Sequence, residues 1–182
     1  WVSHEHGAWG AEAEITEEPL RPGIFEINDL AGNKNAYFNR PNIMLSLDGK
    51  PQENSGRTIG AVLCWSGNFR FTINTRDKKI HHLVAGIDDT NSQYTIGKGE
   101  TFTTPVLALA YSEEGKGGVS RSYHRWARLN NKIHNGTALR KTLLNSWEGV
   151  YLNVTEEGML KMMDGVKEVG AELFVMDDGW FG

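Results

Sequence analysis

The densest group of chemistry-bearing side chains is Asp177-Asp178-Gly179-Trp180, which arrives directly behind the apolar run Leu173-Phe174-Val175-Met176. A second apolar pair, Leu143-Leu144, runs into Asn145-Ser146-Trp147. Carboxylates accept charge-assisted hydrogen bonds from hydroxyl groups, roughly twice as strong as neutral ones. An indole offers a flat apolar face. Acceptors beside such a face are what a pyranose requires, so Trp147, Asp177 and Asp178 are candidate substrate-binding residues. Two other readings stand beside this one. Paired carboxylates suit Mg²⁺ or Ca²⁺, and Asp-Asp-Gly is also the composition of a solvated turn. A catalytic pair is disfavoured by geometry: in a retaining glycosidase the two carboxyl groups face each other about 5 Å apart, whereas strand neighbours project to opposite faces.

The elements that must position these groups are legible. Leu173–Met176 reads as a short strand buried on both faces, Leu143–Trp147 as another apolar strand run that ends in polar groups and an indole, and Thr155–Val169 between them has helical spacing. Thr155 can cap that helix, Glu156 and Glu157 suit its positive end, Leu160, Met163, Val166 and Val169 form its expected buried stripe, and Gly170 ends it. Strand, helix, strand is a βαβ unit with parallel strands. In parallel barrels the carboxyl ends of the strands build the site, which brings Trp147 and Asp177/Asp178 to one rim. One such unit is too little for a parallel sheet, so the chain reads as a fragment of a larger protein.

Up to about Ser112 the pattern is that of strands. Trp9, Ala11, Ala13 and Ile15 alternate with Glu12, Glu14 and Thr16; Ile24–Ile27 and Tyr37-Phe38 are short candidates, with Asp29–Asn35 as a turn. Arg57–Trp65 followed by Ser66-Gly67-Asn68 and the alternating Phe69, Phe71 and Ile73 reads as a hairpin. Further strands are expected at Ile80–Ala85, Gln93–Ile96 and Pro105–Tyr111. Many short strands without helical period predict an antiparallel sandwich. Gly115-Lys116-Gly117-Gly118 lacks the ending of a phosphate loop and reads as a hinge. Val119, Tyr123, Trp126 and Leu129 then predict an amphipathic helix over Gly118–Asn130, with Tyr123 and Trp126 packed on the sandwich. Residues 131–140 read as a linker.

Composition excludes several classes. Nineteen Lys and Arg against 23 Asp and Glu give a net charge of -4 with no basic run, so nucleic acid and anionic membrane are poor partners. No stretch approaches the roughly 20 apolar residues of a membrane span. The single cysteine, Cys64, lies in the apolar run Ala61–Trp65 and reads as a small buried hydrophobe, which leaves no intrachain disulfide. His4 and His6 share a strand face, but no nearby cysteine or third histidine completes a metal site. His81, His82 and His124 read as surface or interface histidines.

Asn145-Ser146-Trp147-Glu148-Gly149, an acidic helix, and then Leu173 through Asp177-Asp178-Gly179-Trp180-Phe181-Gly182 together resemble glycoside hydrolase family 36, the larger bacterial α-galactosidases. Upstream, Gly7-Ala8-Trp9, Glu18-Pro19-Leu20, Ser66-Gly67-Asn68-Phe69, Glu100 through Pro105, and Ser122-Tyr123-His124-Arg125 resemble that family in the same order. The chain departs from it around Leu30–Met44, where Asn33 through Arg40 replaces a run of small residues and histidine.

The resemblance implies a multidomain β plus α/β fold: an antiparallel, supersandwich-like β-sandwich joined by a helix to the start of a (β/α)8 TIM barrel. Residues 1–130 would be the sandwich with its connecting helix at about 118–130, 131–140 a linker, and 141–182 the first βαβ unit. The implied activity is removal of terminal α-linked galactose from oligosaccharides such as melibiose or raffinose, with retention of configuration. Trp147 would wall the galactose pocket, and Asp177 and Asp178 would bind galactose hydroxyls. The family's nucleophile and acid/base lie on later strands, so no catalytic residue is named and the segment alone is expected to be inactive. Homo-oligomerisation of the parent is implied as well, and no metal or other cofactor is. Alternatives are galactosyl transfer of the raffinose-synthase kind, a non-catalytic carbohydrate-binding sandwich, and a metal-dependent hydrolase.

Overall fold

A computed structural model describes residues 1–33, 38–77, 80–130 and 138–181. Lys34–Tyr37 of the divergent run, including the strand candidate at Tyr37, and residues 131–137 of the expected linker lie outside the described residues. The chain divides into two compact units, Trp1–Leu129 and Asn130–Gly182.

The first unit is a sandwich of two antiparallel sheets. One sheet has five strands, β1 (Val2–Ala8), β2 (Ala11–Glu18), β4 (Asn39–Ser46), β5 (Thr58–Cys64) and β8 (Val106–Ser112), in the order β2-β1-β4-β5-β8. The other has three, β3 (Gly23–Asp29), β6 (Phe69–Asp77) and β7 (Ile80–Ile87), in the order β3-β6-β7. Alternation fills the space between them: Val2, Ile43, Ala61 and Leu63 from the larger sheet meet Ile27, Phe69, Phe71 and Ile73 from the smaller in one buried cluster. Phe69 and Phe71 pack edge to face, 6.0 Å between centroids. At roughly 1.5–3 kcal/mol for each large apolar side chain removed from water, this cluster is the main source of the unit's stability.

Several expectations for this unit need correction. Ser66–Asn68 does not close a hairpin, because β5 pairs with β4 and β8 while β6 pairs with β3 and β7. The turn carries the chain from one sheet to the other, so that apolar faces on both arms share one core; Trp65 clips it by donating its indole N–H to the Asn68 carbonyl at 3.1 Å. Strand β4 was not expected, since Asn39-Arg40-Pro41-Asn42 has turn composition, yet its alternation buries Ile43 in the core. Gln93–Ile96 forms no strand. Trp9 sits in the turn between β1 and β2, 86% exposed, rather than on a strand face. Cys64 is exposed at the end of β5, where it has left the core.

The helix after the sandwich, α1 (Gly115–Asn130), begins three residues before its expected start, so the glycine-rich hinge is its first turn. The glycines allow close approach. A Cβ on Gly118 would lie 2.0 Å from the Ser112 hydroxyl oxygen, and one on Gly115 would lie 2.4 Å from the Gln52 carbonyl. Helices leave their first N–H groups without internal partners; here Gly115, Lys116 and Gly117 donate theirs to the carbonyls of Gly56, Gln52 and Glu53. Those amides are therefore already engaged and do not form an anion cradle. Val119 and Tyr123 pack over Gly60, and the Tyr123 hydroxyl donates to the Ala108 carbonyl at 3.0 Å. Burial pushes that hydroxyl up to about 12. Trp126 and Leu129, expected to pack as well, are 47% and 81% exposed, because they lie beyond the contact that Val119 and Tyr123 make.

The second unit holds β9 (Leu143–Asn145), α2 (Trp147–Val150), α3 (Glu156–Glu168) and β10 (Leu173–Val175). The two strands are parallel, with Leu173 beside Leu143 and Val175 beside Asn145. Thr155 caps α3 by accepting from the Gly158 N–H at 3.1 Å, and Gly170, at φ +75°, follows its end. The buried face of α3 carries Met159 and Val166, while Leu160, Met163 and Val169 are exposed. The expected stripe therefore holds at Val166 and is replaced by Met159 at its other end. Leu173, expected in a strand buried on both faces, is exposed, as are Leu143 and Leu144. Within this unit one amphipathic helix packs on the strand pair, and one helix covers only one face. Among the described residues no helix is long and apolar enough to cross a membrane.

Candidate functional site

The site candidates sit where β9 and β10 end. In a parallel pair both carboxyl ends lie at the same edge, and the register that sets Val175 beside Asn145 brings the residues after each strand together. Ser146, fully buried, continues the pairing by donating its N–H to the Val175 carbonyl at 2.9 Å. Its hydroxyl accepts from the Asp177 N–H at 3.0 Å. The Asn145 amide spans the gap: its oxygen accepts from the Trp147 N–H at 2.7 Å, and its nitrogen donates to Asp177 Oδ2 at 2.6 Å. The other Asp177 oxygen accepts from the Asp178 N–H at 2.8 Å. The Asn145 amide first, and the Asp178 N–H second, hold the Asp177 carboxyl below its ordinary range. Asp177 is thus an anion with a fixed carboxylate plane, and Asp178 is exposed beside it.

Trp147 opens α2 and is half-buried. Its ring meets Tyr151 edge-on, 5.5 Å between centroids. Tyr151 donates its N–H to the Trp147 carbonyl at 2.7 Å and adopts φ 50° and ψ -128°. An L side chain in that region is strained, a cost met where surrounding structure fixes the backbone. The two loops interlock again at Gly179, at φ +103°, where a Cβ would lie 2.7 Å from the Leu152 carbonyl oxygen. Trp180 is exposed and packs edge-on against Phe181.

Trp147, Asp177 and Asp178 therefore fall in one connected group. Asn145, Ser146 and Tyr151 also build it, and the sequence reading gave them no role. For Asn145 the signal was available, since a polar amide ending one of two adjacent parallel strands is placed to bridge to the other. Among the described residues no cluster of three or more His, Cys, Asp or Glu could hold a metal. His4 and His6 serve the β1–β2 hairpin instead: His4 lies 3.6 Å from Glu18, and His6 hydrogen-bonds Thr16 at 3.0 Å.

Residues 1–97 match the glycosyl hydrolase family 36 N-terminal domain, and residues 101–182 match Melibiase. The chain belongs to glycosyl hydrolase family 36. Alpha-galactosidase AgaA of Geobacillus stearothermophilus is 32% identical over 186 residues, an alignment covering 100% of this chain and 25% of AgaA. Alpha-galactosidase Mel36A of Lactobacillus acidophilus is 29% identical over 179 residues, covering 97% of this chain and 24% of Mel36A. The crystal structure of family 36 AgaA superposes with a TM-score of 0.92 at 30% identity, covering 100% of this chain and 25% of that one. AgaA variants crystallised with raffinose and with stachyose match at 0.92 and 0.89. The fold is that of the family: an antiparallel β-sandwich joined by a helix to the start of a (β/α)8 TIM barrel. The chain spans about a quarter of the length of these family 36 relatives.

Proposed function

We propose that this chain is part of a retaining α-galactosidase that hydrolyses terminal α-linked galactose from oligosaccharides of the raffinose and stachyose kind. Residues 1–130 supply the sandwich and its helix, 131–140 the connection, and 141–182 the first βαβ unit of the catalytic barrel. Trp147 forms a wall of the galactose pocket, and Asp177 and Asp178 accept hydrogen bonds from galactose hydroxyls. The nucleophile and the acid/base come from later barrel strands, so this stretch binds and orients the sugar without breaking the bond. The parent assembles as a homo-oligomer.

The observation that carries the reading is the bonded group at the strand ends. An indole and two neighbouring carboxylates share one rim, with Asp177 held ionised by Asn145. Fixed acceptors next to an apolar face match the alternating hydroxyl edge and C–H face of a pyranose, and they need no metal to do so. The test is hydrolysis of an aryl α-galactoside by the full-length parent and by residues 1–182 alone, with the β-anomer and the α-glucoside as controls. The expected result is cleavage of the α-galactoside by the parent and no cleavage by the segment. An inactive parent removes the hydrolase assignment, and an active segment removes the placement of the catalytic pair.

A further inference from the structure

We propose that Asn145 is the positioning residue of this sugar site, the side chain that sets the Asp177 carboxylate and the start of the Trp147 helix in one fixed geometry. The inference rests on the α-galactosidase reading and goes beyond it, because Asn145 is given a role that requires no contact with sugar.

The argument starts from the chemistry of the amide. Asparagine carries an acceptor oxygen and a donor nitrogen on one short planar group. At the end of β9 both are used, by partners on different loops. The oxygen accepts from the Trp147 N–H at 2.7 Å, and the nitrogen donates to Asp177 Oδ2 at 2.6 Å. The amide has one workable orientation, since its reverse would set an oxygen against the carboxylate and an NH₂ group against an N–H. Aspartate, serine or alanine in its place satisfies one partner at most. Glutamine has both groups but places them a methylene farther from the strand.

The remaining contacts show what is left for Asn145 to fix. The Asp177 backbone is held by the Ser146 hydroxyl at 3.0 Å. Ser146 is itself held by the Val175 carbonyl and is fully buried. With the backbone held, the carboxylate retains rotation about its own side-chain bonds. The Asp178 N–H on Oδ1 and the Asn145 amide on Oδ2 stop that rotation from two sides. A carboxylate oxygen that accepts one hydrogen bond can accept another, so each Asp177 oxygen keeps acceptor capacity. A sugar hydroxyl arriving there meets an ordered acceptor, so the entropy of ordering is lost on folding rather than on binding. The same amide orders the first N–H of the helix bearing the indole, so acceptor and stacking surface are registered to each other.

A residue that acts through Asp177 loses its effect when Asp177 is gone, and a double-mutant cycle reads that directly. In the full-length enzyme, kcat/KM for an aryl α-galactoside and the Kd of 1-deoxygalactonojirimycin are measured for wild type, Asn145→Ala, Asp177→Ala and the double variant. A hydrogen bond to a charged group supports an expected loss of about tenfold or more for Asn145→Ala in the wild-type background. In the Asp177→Ala background only the bond to the Trp147 N–H remains to be lost, so the expected loss is clearly smaller, about threefold. Asn145→Asp is the second variant. It keeps the acceptor for the Trp147 N–H, so the loop folds, but it replaces the donor with a negative charge; the expected loss is at least as large as for alanine. Equal losses in both backgrounds, or wild-type binding by Asn145→Asp, would overturn the proposal while leaving the α-galactosidase reading intact. A wild type that neither binds the iminosugar nor cleaves the galactoside overturns that reading, and this proposal with it.

Discussion

The sandwich and the βαβ unit use their side chains in opposite ways. In the sandwich, eight apolar residues at 5% exposure or less form one cluster between two sheets. In the βαβ unit the buried residues, among those described, are Met159, Val166 and Ser146. Its order at the strand ends comes instead from five polar contacts among Asn145, Ser146, Trp147, Val175, Asp177 and Asp178 and their backbones. Packing is non-directional and tolerates small shifts, whereas a hydrogen bond requires a donor and an acceptor at a set distance and angle. The first region is therefore built for stability and the second for placement of a few atoms.

The contrast is broken most directly in the core. Phe71 is fully buried and packs edge-on against Phe69. Phe71→Ala is expected to destabilise the sandwich by about 3–5 kcal/mol, transfer and cavity costs together. The check is chemical unfolding of the chain, with the loss seen as a lower midpoint and an unchanged slope. A loss below about 1 kcal/mol, typical of a surface site, would mean that the two sheets are not held by this cluster.

Gly179→Ala sharpens the other half of the comparison. Its φ of +103° disfavours any side chain, and the added methyl would lie 2.7 Å from the Leu152 carbonyl oxygen. Strain of this kind costs on the order of 1–3 kcal/mol. Because the contact joins the two loops, the expected outcome is weaker galactoside binding together with earlier opening of amides at 146–153 and 177–181, read by hydrogen exchange, while the sandwich amides keep wild-type protection. Uniform loss across both units would show that the loops are not a separate element of order.

How much of this was legible follows the same division. Strands with strict alternation, such as Phe69, Phe71 and Ile73, were readable because period-2 burial repeats along the strand. Strand β4 was missed because Asn39, Pro41 and Asn42 are turn formers and only its sheet partners override them. The turn at Ser66–Asn68 was mistaken for a hairpin because turn chemistry marks a reversal of direction but does not record which sheet receives the next strand. On α3 the cap at Thr155 was readable as a local side-chain-to-backbone bond. In the stripe Val166 was readable as buried, but Met159 takes the place expected of Leu160 and Met163, since these side chains are equally apolar and only tertiary packing selects among them. At the site, Trp147, Asp177 and Asp178 stood out by residue type. Asn145 did not, because its role depends on a strand neighbour distant in sequence.

The smallest expected effect concerns protons, and it separates the two regions again. Asp88 of the sandwich is buried, which opposes its charge. The Thr90 hydroxyl and N–H and the Arg70 guanidinium, 2.9 Å away, outweigh that and leave its carboxyl below the ordinary range. Asp177 is lowered as well, by Asn145 and then by the Asp178 N–H, but at an open site. For both, the folded state holds its proton less tightly than the unfolded chain. The stabilisation is therefore complete above the ordinary aspartate value of about 3.9 and is lost as pH falls through the folded-state value. The consequences differ by location. Protonating Asp88 removes the buried member of the carboxylate group around Arg70, which keeps Asp89 at 3.2 Å and Glu26 at 3.7 Å, so its titration is expected to coincide with acid unfolding of the sandwich. Protonating Asp177 removes one acceptor from a solvent-facing loop, so its side-chain carbonyl ¹³C signal should titrate while the sandwich amides remain folded. Asn145→Ala should move that midpoint upward, toward 3.9. An Asp177 midpoint unmoved by Asn145→Ala, or one seen only during global unfolding, would mean that this carboxylate is ordered by the fold at large rather than by the amide beside it.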